Sequence, residues 1–401
     1  VLLIAVALFS IITDVLIVLA AALLLGELFE RLRLPSVVGE LLAGIIIGPA
    51  LLGLVVAGDP FRAISFIALF FIIFHIGFEM RTHMIKGRLR LASLFSITSF
   101  LIPLFLLALV GMFFFPFGTT EIFVLALAIA VPSLSIVSVL IWQYNLIKTA
   151  TGQIILASVT ISDVLAFIFL AGIIQPLKST VTVYLETIIF IGVLALLDVL
   201  FNLKADILQK HLARINSLFK RQDFAFGLLI VSGLLVSAIF QNIGLSFILG
   251  AFFAGLIVHD GLLGQKTCTK ISQTLSTMNN IFFVPLFFGF AGLEVILSGI
   301  DYLFYVGLAV IVIVALGAGI SLTYFVSKKI LHSQLNVVPK QLAGIMGGRG
   351  AIGIVIATVA LSEGILSETG FSLVIMATLI MSVIIPFVAG RKTAEEPKCI
   401  P

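Results

Sequence analysis

Charge is what this sequence has least of. Asp, Glu, Lys and Arg make up only 10% of its 401 residues, against about 25% in soluble domains. A water-soluble surface cannot be built from so few charges, which excludes a cytosolic globular enzyme and a nucleic-acid binder. Cysteine is nearly absent: Cys268 and Cys399 lie far apart and match no metal or disulfide spacing. Long polar stretches are also missing, so neither a disordered chain nor a large soluble domain is expected. No cleavable signal peptide is expected, because the first apolar stretch runs past Asp14 straight into another.

What is present is apolar. Hydrophobic residues make up 61% of the chain and the mean hydropathy is +1.30. This composition predicts an all-α polytopic membrane protein, since a spanning helix needs about 20 apolar residues. Apolar runs divided by charge or by Pro/Gly clusters predict thirteen spans, near 11–30, 36–56, 63–80, 91–115, 121–142, 150–174, 181–203, 224–241, 243–259, 281–297, 302–327, 341–361 and 370–390.

The basic residues give an independent reading. When each loop is numbered by the span it follows, the odd loops carry Arg31 and Arg33, the Arg81–Arg90 cluster, Lys148, the Lys204–Arg221 cluster, Lys266 and Lys270, and Lys328, Lys329 and Lys340. With Arg391, Lys392 and Lys398 in the tail, that is 20 of the 23 Lys and Arg. Even loops hold Arg62 and Lys178 alone. The positive-inside rule then predicts a multi-pass protein with its N-terminus outside and its C-terminus in the cytoplasm, and a prokaryotic inner membrane is the expected location.

The organisation expected is 1–203 as a first repeat (spans 1–6) plus a linking span 7, 204–223 as a cytoplasmic linker, 224–390 as a second repeat (spans 8–13), and 391–401 as a short tail. Ile207, Leu208, Leu212, Ile215 and Phe219 share one helical face of the linker, the pattern of a helix lying on a membrane surface. Setting span 7 aside, corresponding spans are seven apart and so opposite in orientation, the arithmetic of an inverted-topology repeat.

Most acidic residues, including Glu27, Glu30, Glu40, Asp59, Glu79, Asp260 and Glu368, fall at span ends or in loops and are assigned solvated or interfacial roles. Asp163 falls in the middle of span 6. An ionised carboxylate there costs about 2.5–3.5 kcal/mol on the insertion scale, and such groups mark ion pathways. A proton or a cation would relieve that cost, so the two compete for one carboxylate. Ser162 adjoins Asp163 and Thr160 shares its face; their hydroxyls suit a hard cation, which prefers oxygen. Arg349 is a second deep charge, in Met346-Gly-Gly-Arg-Gly-Ala-Ile-Gly. The glycines weaken a helix there, as Pro132 does in Ala130-Val-Pro-Ser-Leu-Ser. These breaks fall in spans 5 and 12, which are repeat-equivalent, and such paired interruptions point to a transporter's binding site. Ser133 and Ser135 are candidate oxygen ligands, and Arg349, Pro132 and Gly350 form the structural core of the break. His75 is either a proton relay or a structural histidine. Gly44 and Gly48 form a close-packing face, between subunits or within one.

Several stretches carry a family likeness: Leu34-Pro-Ser-Val-Val-Gly-Glu-Leu-Leu-Ala-Gly-Ile-Ile-Ile-Gly-Pro, Phe74-His-Ile-Gly-Phe-Glu-Met, the broken span 5, Asp163, Phe283-Val-Pro-Leu-Phe-Phe and Arg349-Gly. Through them the whole chain resembles the monovalent cation/proton antiporters, in particular the CPA2-like branch with bacterial sodium/proton antiporters and glutathione-gated potassium efflux proteins. The resemblance implies the sodium/proton antiporter fold, with a core domain, a dimerisation domain and two crossed discontinuous helices beside the ion site. It also implies a homodimer in membrane lipid working by elevator-like movement. The sequence departs from the pattern in three places. Ser162 stands where Asp, Asn or Gln usually precedes the essential Asp, Leu134 stands where Thr is common, and Leu316-Gly-Ala-Gly-Ile of span 11 lacks the buried base that many members carry. The tail after Arg391 is too short for the cytoplasmic nucleotide-binding domain of the potassium efflux relatives.

The expected function is secondary exchange of a monovalent cation, Na⁺ first and K⁺ as the other candidate, for H⁺ by alternating access, with no cofactor beyond the transported ions. The alternative is symport of a small organic anion on the same plan, with Arg349 as the anion's partner. An intramembrane aspartyl protease needs two facing carboxylates, and the span centres supply one.

Overall fold

The computed structural model describes residues 2–32, 34–83, 89–144, 146, 149–174, 224–242, 247–257, 265–297, 302–331 and 339–389. The predicted span 7 and the linker at 204–223 lie outside the described residues. Sixteen α-helices are described: α1 (Leu2–Arg31), α2 (Ser36–Ile47), α3 (Asp59–His83), α4 (Leu89–Ser96), α5 (Ile102–Phe114), α6 (Thr119–Ala130), α7 (Leu134–Gln143), α8 (Ala150–Ile174), α9 (Phe224–Asn242), α10 (Phe247–Ile257), α11 (Gln265–Met278), α12 (Val284–Leu293), α13 (Tyr302–Leu331), α14 (Pro339–Met346), α15 (Ala351–Ser362) and α16 (Glu368–Ala389). Single π-turns at Ile97–Leu101 and Asn279–Phe283 join α4 to α5 and α11 to α12. Each is followed two residues later by a proline, Pro103 or Pro285, which supplies no N–H to the turn before it.

Among the described residues seven helices are long and apolar enough to cross a membrane, and four shorter ones are apolar. Three differences from the expected spans have local causes. Helix α1 begins at Leu2 because no breaker separates the first ten residues from span 1. Span 2 stops being helical at Ile47, where Gly48 caps the helix and Pro49 follows; Gly53 then turns the chain at φ +60°. Span 10 is entered from α11, a polar helix starting at Gln265.

The chain divides into two compact units. The first comprises Val1–Leu23, Val55–His83 and Phe167–Phe290. Its centre is the close pairing of α3 with α10, where a side chain on Gly77 would collide with the Phe252 carbonyl and one on Gly255 with the Phe74 carbonyl. Phe71 stacks on Phe283 with ring centroids 4.2 Å apart, and Asn279 Nδ2 donates to the Phe71 carbonyl at 3.3 Å. His75 Nε2 lies 3.1 Å from Glu79 Oε1 on the next turn of α3.

The second unit comprises Leu24–Leu54, Met84–Ala166 and Ala291–Pro401. Helix α13 packs along α14, α5 and α16, and α15 packs against α6 and α16. The face bearing Gly44 and Gly48 packs within the chain: a Cβ on Gly292 would lie 2.8 Å from Gly44 Cα, and one on Gly48 3.0 Å from the Leu293 side chain. Every candidate site residue belongs to this unit.

Candidate ion site

The stretches expected as spans 5 and 12 are each two helices with a gap between them. Helix α6 ends at Ala130, Val131 is extended, and α7 restarts at Leu134. Helix α14 ends at Met346 and α15 restarts at Ala351. The two gaps meet as an isolated antiparallel bridge between Pro132 and Arg349. Ser133 N donates to the Gly348 carbonyl at 2.8 Å, and Ala351 N donates to Ser133 Oγ at 3.3 Å. Gly350 leaves the room this needs, since a Cβ there would stand 2.8 Å from Ser133 Oγ. Each gap thus answers the other's backbone groups, which lipid could not do. Two helix C-termini and two N-termini converge here, giving a low-dielectric region with fixed partial charges of both signs.

Arg349 is 1% exposed. Its Nη2 donates to the Ser99 carbonyl at 2.7 Å. That carbonyl lies in the π-turn of span 4, and Pro103, four residues on, has no N–H to offer it. The guanidinium also lies against α13, where Gly319 makes room: a Cβ there would be 2.7 Å from Nη2. Nε and Nη1 have no partner among the described residues. The Arg349 carbonyl accepts from Ser382 Oγ at 3.0 Å, tying the break to α16. The arginine therefore joins the π-turn before α5, helix α13, the α14–α15 break and α16 through backbone and packing contacts.

Asp163 is 1% exposed, and its Oδ1 has no hydrogen-bond partner among the described residues. Thr160 and Ser162, on the same helix, are also buried. Ser162 is already engaged: its hydroxyl donates to the Ser158 carbonyl at 3.0 Å and lies 2.9 Å from Ser96 Oγ. Ser96 immediately precedes the π-turn. One turn of span 4 thus meets the Asp163 helix through Ser96 and Arg349 through Ser99. Pro132, Ser133, Arg349 and Gly350 are brought together at the bridge. Asp163 and Thr160 have no hydrogen bond to that group among the described residues. Ser135 lies in the first turn of α7, its side chain outside the described residues.

Three features of the site were not foreseen. Ser99 contributes a main-chain oxygen. Thr378 and Ser382, at i,i+4 spacing in the apolar α16, line a small cavity with Ser133, Gly350, Val38 and Leu41, with room for about one water molecule; their hydroxyls in an otherwise apolar span were the available signal. Glu40, assigned an interfacial place, is instead 3% exposed with Oε2 unpartnered among the described residues.

Interrupted helices that satisfy one another, a buried carboxylate with an oxygen unpartnered among the described residues and a buried arginine held by main chain fit a membrane-embedded ion transporter. The family model described as "Sodium/hydrogen exchanger, transmembrane" matches residues 15–391, and the chain belongs to that family. It is a monovalent cation/proton antiporter, a transporter rather than an enzyme, and the organic-anion symport alternative is set aside. It is 26% identical to the Na(+)/H(+) antiporter NhaS4 of Synechocystis over 93% of this chain and 95% of that one. It is 23% identical to the Na(+)/H(+)-K(+) antiporter GerN of Bacillus cereus over 92% of this chain and 93% of the relative. The sodium proton antiporter MjNhaP1 of Methanocaldococcus jannaschii has a similar fold, with a TM-score of 0.67 over 95% of this chain and 98% of that one, at 18% identity.

Proposed function

We propose that Asp163 is the shared carrier, binding either H⁺ or one monovalent cation, with Na⁺ as the main cation and K⁺ as the competing candidate. The observation that carries this reading is the buried Oδ1 of Asp163, unpartnered among the described residues, in an apolar helix. Either ion relieves the cost of the bare charge, so occupancy by one excludes the other. Ser133, Ser135, Thr160 and Ser162 are the proposed oxygen ligands or walls, and Arg349, Pro132 and Gly350 hold the broken helices in place. Relatives named as Na(+)/H(+) and Na(+)/H(+)-K(+) antiporters support the ion choice.

The same reading takes the chain as thirteen spans in two inverted repeats, 1–203 with linking span 7 and 224–390, joined by the 204–223 linker. The interruptions of spans 5 and 12, seven spans apart, support it. The Lys and Arg asymmetry supports an outside N-terminus and a cytoplasmic C-terminus, and the membrane is taken as a prokaryotic inner membrane. Alternating access by an elevator-like movement within a homodimer completes the proposal.

The test uses purified protein in liposomes with an imposed pH gradient and an internal pH dye, challenged in turn with Na⁺, K⁺ and Li⁺. Dequenching should be largest with Na⁺ and absent in protein-free vesicles. A gradient that responds to none of the three cations would overturn the reading.

A further inference from the structure

The proposed exchange uses one buried carboxylate, and the structure holds a second. We propose that Glu40 is a second proton-binding site, distinct from Asp163. Three observations carry this. Glu40 is 3% exposed, one turn inside α2 from Ser36. Its Oε2 is buried and has no partner among the described residues. The side chain packs over the backbone of α1 at Gly26, where a Cβ would stand 3.3 Å from Glu40 Cγ and 3.4 Å from Oε1.

Among the described residues no cation compensates it. Among the described residues no Lys or Arg lies within ion-pair distance, and Arg31 is turned to Glu27 at 2.8 Å. The charged group facing it from α1 is Glu30, of the same sign. An anionic carboxylate with a desolvated oxygen and a like charge nearby is costly, and a proton on Oε2 removes the cost. Glu40 lies beside the loop that begins at Arg31. On the orientation proposed above, on which this clause rests, that end faces the cytoplasm and the proton exchanges with that side.

Infrared difference spectroscopy of the full chain in detergent, titrated through the stretch of protonated carboxyl groups, tests the proposal without requiring transport. With Asp163→Asn, a buried carboxyl band should still titrate. With Asp163→Asn and Glu40→Gln together, that band should vanish. Identical difference spectra from the two proteins would overturn the proposal. Glu40→Asp covers the case in which the glutamine variant does not fold. It withdraws the carboxyl from Gly26 by one methylene and should shift the band's midpoint, and an unmoved midpoint would equally overturn the site. Failure of the Asp163 assignment is distinguishable, because it appears as exchange by Asp163→Asn whatever the spectra show.

Discussion

Arg349 Nη2 donates to the main-chain carbonyl of Ser99 at 2.7 Å, across 250 residues of sequence. The contact exists because Pro103 cannot donate to that carbonyl and because Gly319 leaves space for the guanidinium. Among the described residues this buried arginine is thus held by main chain and packing rather than by a carboxylate.

Arg349→Ala should lower thermal stability in detergent and reduce exchange. It leaves the Ser99 carbonyl short of a donor, a loss worth about 1–3 kcal/mol for a buried polar group. Arg349→Lys should recover part of both, since the charge survives but the planar fork does not. A melting temperature for Arg349→Ala equal to that of the parent would contradict this role.

Gly319→Ala should reproduce the arginine defect from the other side, because the new methyl would stand 2.7 Å from Nη2. The two changes should be non-additive. In an Arg349→Ala background, Gly319→Ala should cost little further stability, and a double-mutant cycle in detergent measures the coupling. Full additivity would show that Gly319 acts elsewhere.

The candidate site was only partly legible in the sequence, for physical reasons. Asp163 could be found because a carboxylate amid apolar residues has no packing rationale. The breaks at Pro132 and at Gly347–Gly353 could be found because Pro and Gly act on their own backbone. The Ser99 carbonyl could not, since every residue has one and its partner is distant; Pro103 was the sole local hint. Glu40 was assigned to an interface because it falls near a span end, whereas it packs against α1 at Gly26 and is buried. The end of span 2 was overrun because apolar composition continues past Gly48-Pro49 although the helix does not.

If H⁺ and the cation share one carboxylate, they compete. Lowering the pH on the cation-loading side should raise the apparent KM for the cation, with a much smaller change in maximal rate. Initial-rate series at several pH values in proteoliposomes read this directly. A pH effect confined to the maximal rate would indicate separate sites.

One carrier carboxylate also moves one proton against one monovalent cation, so no net charge crosses per cycle. One net charge moving through 100 mV would contribute about 2.3 kcal/mol. The ion gradient at which flux reverses should therefore not move when a membrane potential is imposed. A reproducible shift would require a second transported proton.

The assignment of Asp163 as carrier is tested most directly by Na⁺-driven proton flux through purified, reconstituted Asp163→Asn. Asparagine matches the aspartate in shape but neither releases a proton nor carries charge. The account predicts a folded, correctly reconstituted protein whose flux falls to that of empty liposomes. Flux at the parental rate from the same preparation would contradict it.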